Sequence, residues 1–221
     1  LEPADFAAGR PARIDTSVSD NDSRPFALTA AQRGIWFAQH LMGDVPITIA
    51  QYVDIEGELD VDALRRAGQA AAREIGSGML RIVEVDGEPL QTVDFTLDDG
   101  VEHHDFRAEP HPHAAALHWM RADYTAPLDL LSDRLIRGAT LQIGENHHLW
   151  YCRIHHIALD GYGAMRFMNR AAELYTAEVR GVEPTVSVAG DLRDVSAAED
   201  VYRASSRFRT DRDYWATRSR D

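Results

Sequence analysis

The apolar positions of this chain change period several times, and each change predicts an element. Residues 1–24 carry no apolar period and mix Asp, Ser, Pro and Asn, which predicts a flexible lead-in or linker. In "LTAAQRGIWFAQHLM" Thr29 is followed three residues later by Gln32, a capping box for a helix that turns Ile35, Trp36 and Phe37 toward a core. "PITIAQYVDIEG" then alternates Ile47, Ile49, Gln51, Val53 and Ile55 along one side of a strand that Gly57 ends. "LDVDALRRAGQAAAREI" returns to a helical period, capped by Asp60 or Asp62, with Val61, Leu64, Ala67 and Ala71 inward.

"MLRIVEV" and "PLQTVDF" are short alternating runs joined by Asp86-Gly87, a hairpin signal. "VEHHDF" predicts a short strand, "HPHAAALHWMRADYT" a helix, and "DRLIRGATLQIG" with "HHLWYCRIHH" two strands joined at Gly144-Glu145-Asn146. From Gly163 the period is helical, with Phe167, Ala171, Leu174 and Tyr175 on one face, and it stops near Gly181. "GVEPTVSVAGDL" reads as a connector and "VSAAEDVYRASSRFRTDRDYWATRSRD" as one final, strongly charged helix. The predicted units are therefore 1–24, an ordered lobe over 25–180, and a connector with a helix over 181–221. The class is α/β, a two-layer arrangement of a mixed sheet with helices, without the glycine-rich turn of a dinucleotide fold.

Composition narrows the function. At 221 residues and 44% hydrophobic content the chain can fill a core. A formal net charge of −13 repels phosphates, which argues against nucleic acid as a partner. No run of eighteen apolar residues predicts a membrane span, and the polar, acidic start lacks the pattern of a signal peptide, so a cytoplasmic location is expected. The single Cys152, inside an apolar run, is expected to be a buried reduced thiol rather than a nucleophile. Trp36, Trp119, Trp150 and Trp215 read as core.

The stretch that could carry chemistry is "YCRIHHIALDGYG". A two-residue period puts Trp150, Cys152, Ile154 and His156 on one face and Tyr151, Arg153 and His155 on the other. On this reading His156 lies on the apolar, buried side at a cavity wall, and His155 on the more polar side. An imidazole at a strand end beside a loop suits proton transfer near neutral pH. Asp160, four residues on, could return its carboxylate to the imidazole or to an arginine, and Gly161 and Gly163 could take positive φ or admit a ligand. The other histidine pairs lie on different elements and lack HExxH spacing, so no metal site is expected, and no G-x-S-x-G elbow marks a serine hydrolase.

"HHIALDG" resembles the HHxxxDG signature of the condensation domains of nonribosomal peptide synthetases, in the superfamily that includes chloramphenicol acetyltransferase. "LTAAQRGIWFAQ" is similar to that family's opening S-x-A-Q-x-R-x-W helix, "YTAPLDLLSDRLIRGATLQI" to the segment before the signature, and "RDYW" to its crossover into a second lobe. The resemblance implies the N-terminal lobe of a two-lobed fold with the active site between lobes. It implies amide formation between an acyl or peptidyl thioester and the amine of an aminoacyl thioester. No directly bound cofactor is implied; upstream and downstream peptidyl carrier proteins present the substrates on phosphopantetheine arms. The C-terminal lobe, and an adenylation domain, are expected in the same polypeptide. Carried over by position, His156 is the catalytic histidine, His155, Asp160 and Gly161 support it, and Gly161, Tyr162 and Gly163 border the substrate or pantetheine channel.

The sequence also departs from the family pattern. The opening helix has Gly34 where the family has arginine, and the usual RHExLRT stretch reads "REIGSGMLR", leaving Arg81 as the nearby partner for Asp160. Alternative functions are an epimerisation domain or related acyltransferase of the superfamily, or a degenerate lobe that only docks carriers.

Overall fold

The computed structural model describes residues 24–97, 101–187 and 190–219; the expected lead-in, but for its last residue, lies outside these. Among the described residues, two sheets carry the helices. The larger has strand order β2 (Thr48–Glu56), β7 (His147–His155), β6 (Ile136–Gly144), β5 (Glu102–Asp105), and the smaller has β1 (Phe26–Ala27), β4 (Glu88–Val93), β3 (Leu80–Val85). β7 pairs antiparallel with both β2 and β6, while β5 runs parallel to β6. A parallel pair cannot be closed by a tight turn, and helix α3 (Pro112–Thr125) occupies the crossover between them. β2 has no further strand on its outer side among the described residues.

The larger sheet is covered on both faces, which is why all of β7 after His147 is buried. On one face α2 (Val61–Ile75) and α4 (Gly161–Arg180) pack Leu64, Ala71, Phe167, Met168 and Ala171 against Trp150, Cys152 and Ile154. On the other, Ala116 and Met120 of α3 meet Leu141, Leu149 and Tyr151. A third cluster joins Trp36 of α1 (Ala30–Met42), Leu80 and Ile82 of β3, Leu128, Leu130 and Leu135, and Ile157 just beyond β7.

Local chemistry sets the element ends. Thr29 and Gln32 form the reciprocal capping box. Asp60, not Asp62, caps α2 by accepting from Ala63 N–H at 2.8 Å. Asp86 and Gly87 adopt φ +54° and +82°, as a two-residue hairpin turn between β3 and β4 requires.

Three expectations are corrected. Phe37 is 66% exposed, because consecutive helical positions are about 100° apart and the inward stripe of α1 is taken by Gln32, Trp36 and Gln39. The final charged segment is two helices, α5 (Leu192–Ala204) and α6 (Ser206–Arg218), since extended Ser205 ends one and caps the next by accepting from Phe208 N–H at 3.2 Å. Trp215, on α6, is exposed rather than core, and Trp119 is only partly buried.

Gly78, in the stretch that departs from the family pattern, lies against α2. A Cβ there would sit 2.5 Å from Ala72 Cα and 2.7 Å from its carbonyl oxygen. Backbone cannot yield as a side chain does, so Gly78→Ala is expected to destabilise the intact domain by about 1–3 kcal/mol, read as a lower urea midpoint at unchanged slope.

Candidate functional site

The site is built where β7 ends. His155 closes the strand and donates its N–H to Leu135 O at 2.7 Å. His156 has left the ladder, and its N–H donates to Ile47 O at 2.9 Å. A turn follows, with Ala158 N–H on His155 O at 2.9 Å, and leads into α4.

The expected exposures of the two histidines are reversed. His155 is fully buried, because its face of β7 is covered by α3 and by the end of α1, whereas His156 lies past the strand end and is partly exposed. The imidazole of His155 is held at both nitrogens: Nδ1 accepts from Ile157 N–H at 3.1 Å and Nε2 lies 3.0 Å from Gln39 Oε1. Since Oε1 can only accept, Nε2 carries the proton and the ring is neutral. Burial lowers its pKa to about 4, and electrostatic repulsion between a charged His155 and its neighbours His156 and Arg153 acts in the same direction. The ring of His156, by contrast, makes no hydrogen bond to a described residue. Nor does His156 line the groove of about 410 Å³ beside the loop, whose walls include Leu159, Gly163 and Arg166.

Asp160 lies at the N-cap of α4 and accepts from Gly163 N–H at 2.7 Å. Neither of the partners expected from sequence is present: it bonds to no imidazole, and Arg81 pairs with Asp94 at 3.6 Å. The carboxylate is committed to the orphan N–H groups of a helix start, which also favours negative charge. Gly161 and Gly163 adopt no positive φ, because both already belong to the first turn of α4. Their value is spatial. A Cβ on Gly161 would meet nothing within 4 Å, leaving open room at the helix start, while one on Gly163 would meet Leu159 Cδ2 at 2.9 Å and Asp160 Oδ1 at 3.3 Å. Tyr162 is 67% exposed beside them.

Behind His155 lies a polar cluster that the sequence did not reveal. Asp123 of α3 accepts from Tyr151 Oη at 2.8 Å, from Arg137, and from Arg153 Nη1 at 3.3 Å, so one carboxylate gathers a phenol and two guanidiniums from neighbouring strands. Burial, then the bond to Asp123, pushes the Tyr151 phenol up. Cys152 is buried among apolar side chains and burial pushes its thiol up to about 12, so it remains protonated. Gln32, Gln39 and Gln91, also missed, are buried and bonded around the loop. The signal that could have found the first two was a polar pair spaced seven apart on the helix face that carries Trp36.

Comparison with known proteins adds a consistent set of likenesses. The family described as Condensation domain matches residues 23–221. An isonitrile lipopeptide synthase of Streptomyces coeruleorubidus is 42% identical over 202 residues, covering 90% of this chain and 14% of that protein. A dimodular nonribosomal peptide synthase of Bacillus subtilis is 34% identical, covering 92% of this chain and 9% of its own length. The crystal structure of the starter condensation domain of rhizomide synthetase RzmA superposes with TM-score 0.83 at 33% identity, covering 89% of this chain and 48% of that one. The chain thus spans about half of that solved domain and a small part of the curated relatives.

Two measurements check the local physics. The unfolded chain takes up a proton on His155 near its ordinary pKa, whereas the folded one resists until about 4. Stability from this group is therefore fully present above about pH 6.5 and falls as pH drops toward 4, by on the order of 3 kcal/mol in total. Urea unfolding of the intact domain at stepped pH should show this slope, and His155→Gln should flatten it. Asp160→Ala should cost about 1 kcal/mol and Asp160→Asn only a small part of that, because an amide oxygen still caps.

Proposed function

Because the chain belongs to the condensation-domain family of nonribosomal peptide synthetases, we propose that it supplies the catalytic histidine, His156, for amide formation between two thioesters. Residues 25–180 are read as the N-terminal lobe and 181–221 as the connection toward a second lobe that completes the cleft. The observation that carries the reading is the contrast at the end of β7: His155 is buried and bonded at both nitrogens, while the His156 ring is partly exposed and bonds to none of the described residues, on a fixed main chain.

In the reaction the amine nitrogen of an aminoacyl thioester attacks the carbonyl carbon of an acyl thioester. A C–N bond forms, the C–S bond breaks, and the sulfur leaves as the thiol of its arm. The attacking nitrogen must lose a proton and the sulfur must gain one. His156 takes the first and returns it to the second, or orients the amine and steadies the tetrahedral oxyanion by hydrogen bonding. The substrates arrive on phosphopantetheine arms of upstream and downstream carrier proteins. The open space at Gly161, beside exposed Tyr162 and the N-terminus of α4, supports entry near this point.

We infer an aliphatic acyl donor. The relative at 42% identity is a lipopeptide synthase, and a variant of the RzmA starter domain has been solved with C8-CoA.

The test uses the intact synthetase with octanoyl and aminoacyl groups loaded on its carriers. His156→Ala should lower amide formation at least about 100-fold, measured by single-turnover mass spectrometry of the carriers. Equal product from wild type and variant would remove the catalytic role and leave a lobe that only docks carriers. A donor series from acetyl to octanoyl, run beside aminoacyl donors, should favour the longer acyl chains; a preference for aminoacyl donors would overturn the donor class alone.

A further inference from the structure

We propose that Gln32 and Gln39, two buried carboxamides of α1, are positioning residues that fix the main chain on either side of His156. The inference rests on His156 being the acting group and adds what holds it.

The problem they solve arises from where β7 stops. A residue past the strand end loses the ladder that fixes the strand, and loop backbone is the softest place for a reacting side chain. Around His156 the ladder is replaced by bonds that lead back to α1. Gln39 Oε1 accepts from Ile47 N–H at 2.9 Å, and Ile47 O in turn accepts from His156 N–H at 2.9 Å. The same Oε1 faces His155 Nε2 at 3.0 Å, and His155 Nδ1 holds Ile157 N–H at 3.1 Å. Gln39 Nε2 donates to Gly43 O at 2.8 Å and Val45 O at 3.1 Å, so all four capacities of this amide are used.

Two turns earlier on the helix, Gln32 Nε2 donates to Ile157 O at 3.2 Å and to Gln91 Oε1 at 2.7 Å. Gln91, fully buried in β4, returns Nε2 to Gln32 Oε1 at 2.9 Å and to Ala27 O at 2.9 Å. The His156 N–H and both polar groups of Ile157 are thereby held, one side through Gln39 and the other through Gln32.

Two observations separate positioning from ordinary packing. The capping box accounts for Gln32 Oε1, which accepts from Thr29 N–H at 2.9 Å, but not for the reach of Nε2 to the carbonyl beyond His156. Buried amides also cost desolvation that only complete bonding offsets, where an apolar side chain in the same stripe as Trp36 would pack without that cost. The carboxamides contribute direction, and the direction they fix is that of the loop carrying His156.

The experiment compares Gln32→Met, Gln39→Met and His156→Ala in the intact synthetase with loaded carriers, with kcat and KM measured on folded protein. The expected result is a kcat lowered at least about 10-fold in each Met variant, with KM for both carriers within about twofold of wild type. A kcat within about twofold of wild type while His156→Ala is silent would overturn the positioning role. Activity retained in His156→Ala would instead overturn the reading on which it rests.

Should the Met variants fail to fold, Gln39→Glu keeps side-chain length and the accepting oxygen. Its carboxylate would favour a protonated His155, whose Nδ1–H then confronts Ile157 N–H; burial, with Arg153 nearby, opposes that protonation in the wild type. A new acid-side fall in kcat, absent from wild type over the same pH range, is expected. A profile superimposable on wild type would overturn the proposal.

Discussion

The interaction on which the rest depends is the clasp of the His155 ring between Gln39 and the Ile157 amide. A fully buried imidazole has one donor and one acceptor when neutral, and here each meets its complement. The bond to Ile157 bends the chain immediately after His156, and the bond to Gln39 ties that bend to a helix. Remove either partner and a buried polar atom is left without its bond, a loss of about 1–3 kcal/mol. The neighbouring ring can stay unbonded because its companion is not.

The sheet makes this clasp possible. With helices on both faces, β7 offers no solvent-facing side on which a histidine could be a surface residue. His155 is therefore driven into the protein and needs partners there. The carboxylate of Asp123 does the same for Arg153 and Tyr151 one and two pairs of positions back along that face, so side chains bond the polar groups beneath the strand end. Among the described residues Arg153 Nε, Thr140 Oγ1 and His148 Nδ1 have no hydrogen-bond partner.

Much of this was legible in the chain. The capping box, the Asp86-Gly87 hairpin and the helix and strand order follow from local periods and turn chemistry, which act over a few residues. The signature stretch and its relation to the family were equally visible. What misled was the alternation rule applied to β7. It sorts side chains into two faces but cannot tell that both are covered, so it put His155 on a polar side that does not exist. Asp160 misled for a related reason: a carboxylate at the start of a helix satisfies the backbone beside it before it reaches any arginine. The partners of Gln39 and Gln91 were invisible because they lie far off in sequence, as with Gln39 and His155, 116 residues apart.

The strand beside β7 has a consequence of its own. β2 runs nine residues along the rim of the larger sheet, with Tyr52 and Val53 partly bare and every second amide and carbonyl pointing away from the ladder. A rim of that length with no further strand on it among the described residues is a template onto which extended backbone can zip, whether from a second copy or from another part of the same polypeptide. The free energy of such an addition comes from peptide groups rather than side chains, so it discriminates poorly between the right occupant and the wrong one. The rim of this sheet therefore carries adhesive hardware that the histidine at the far end of β7 does not use.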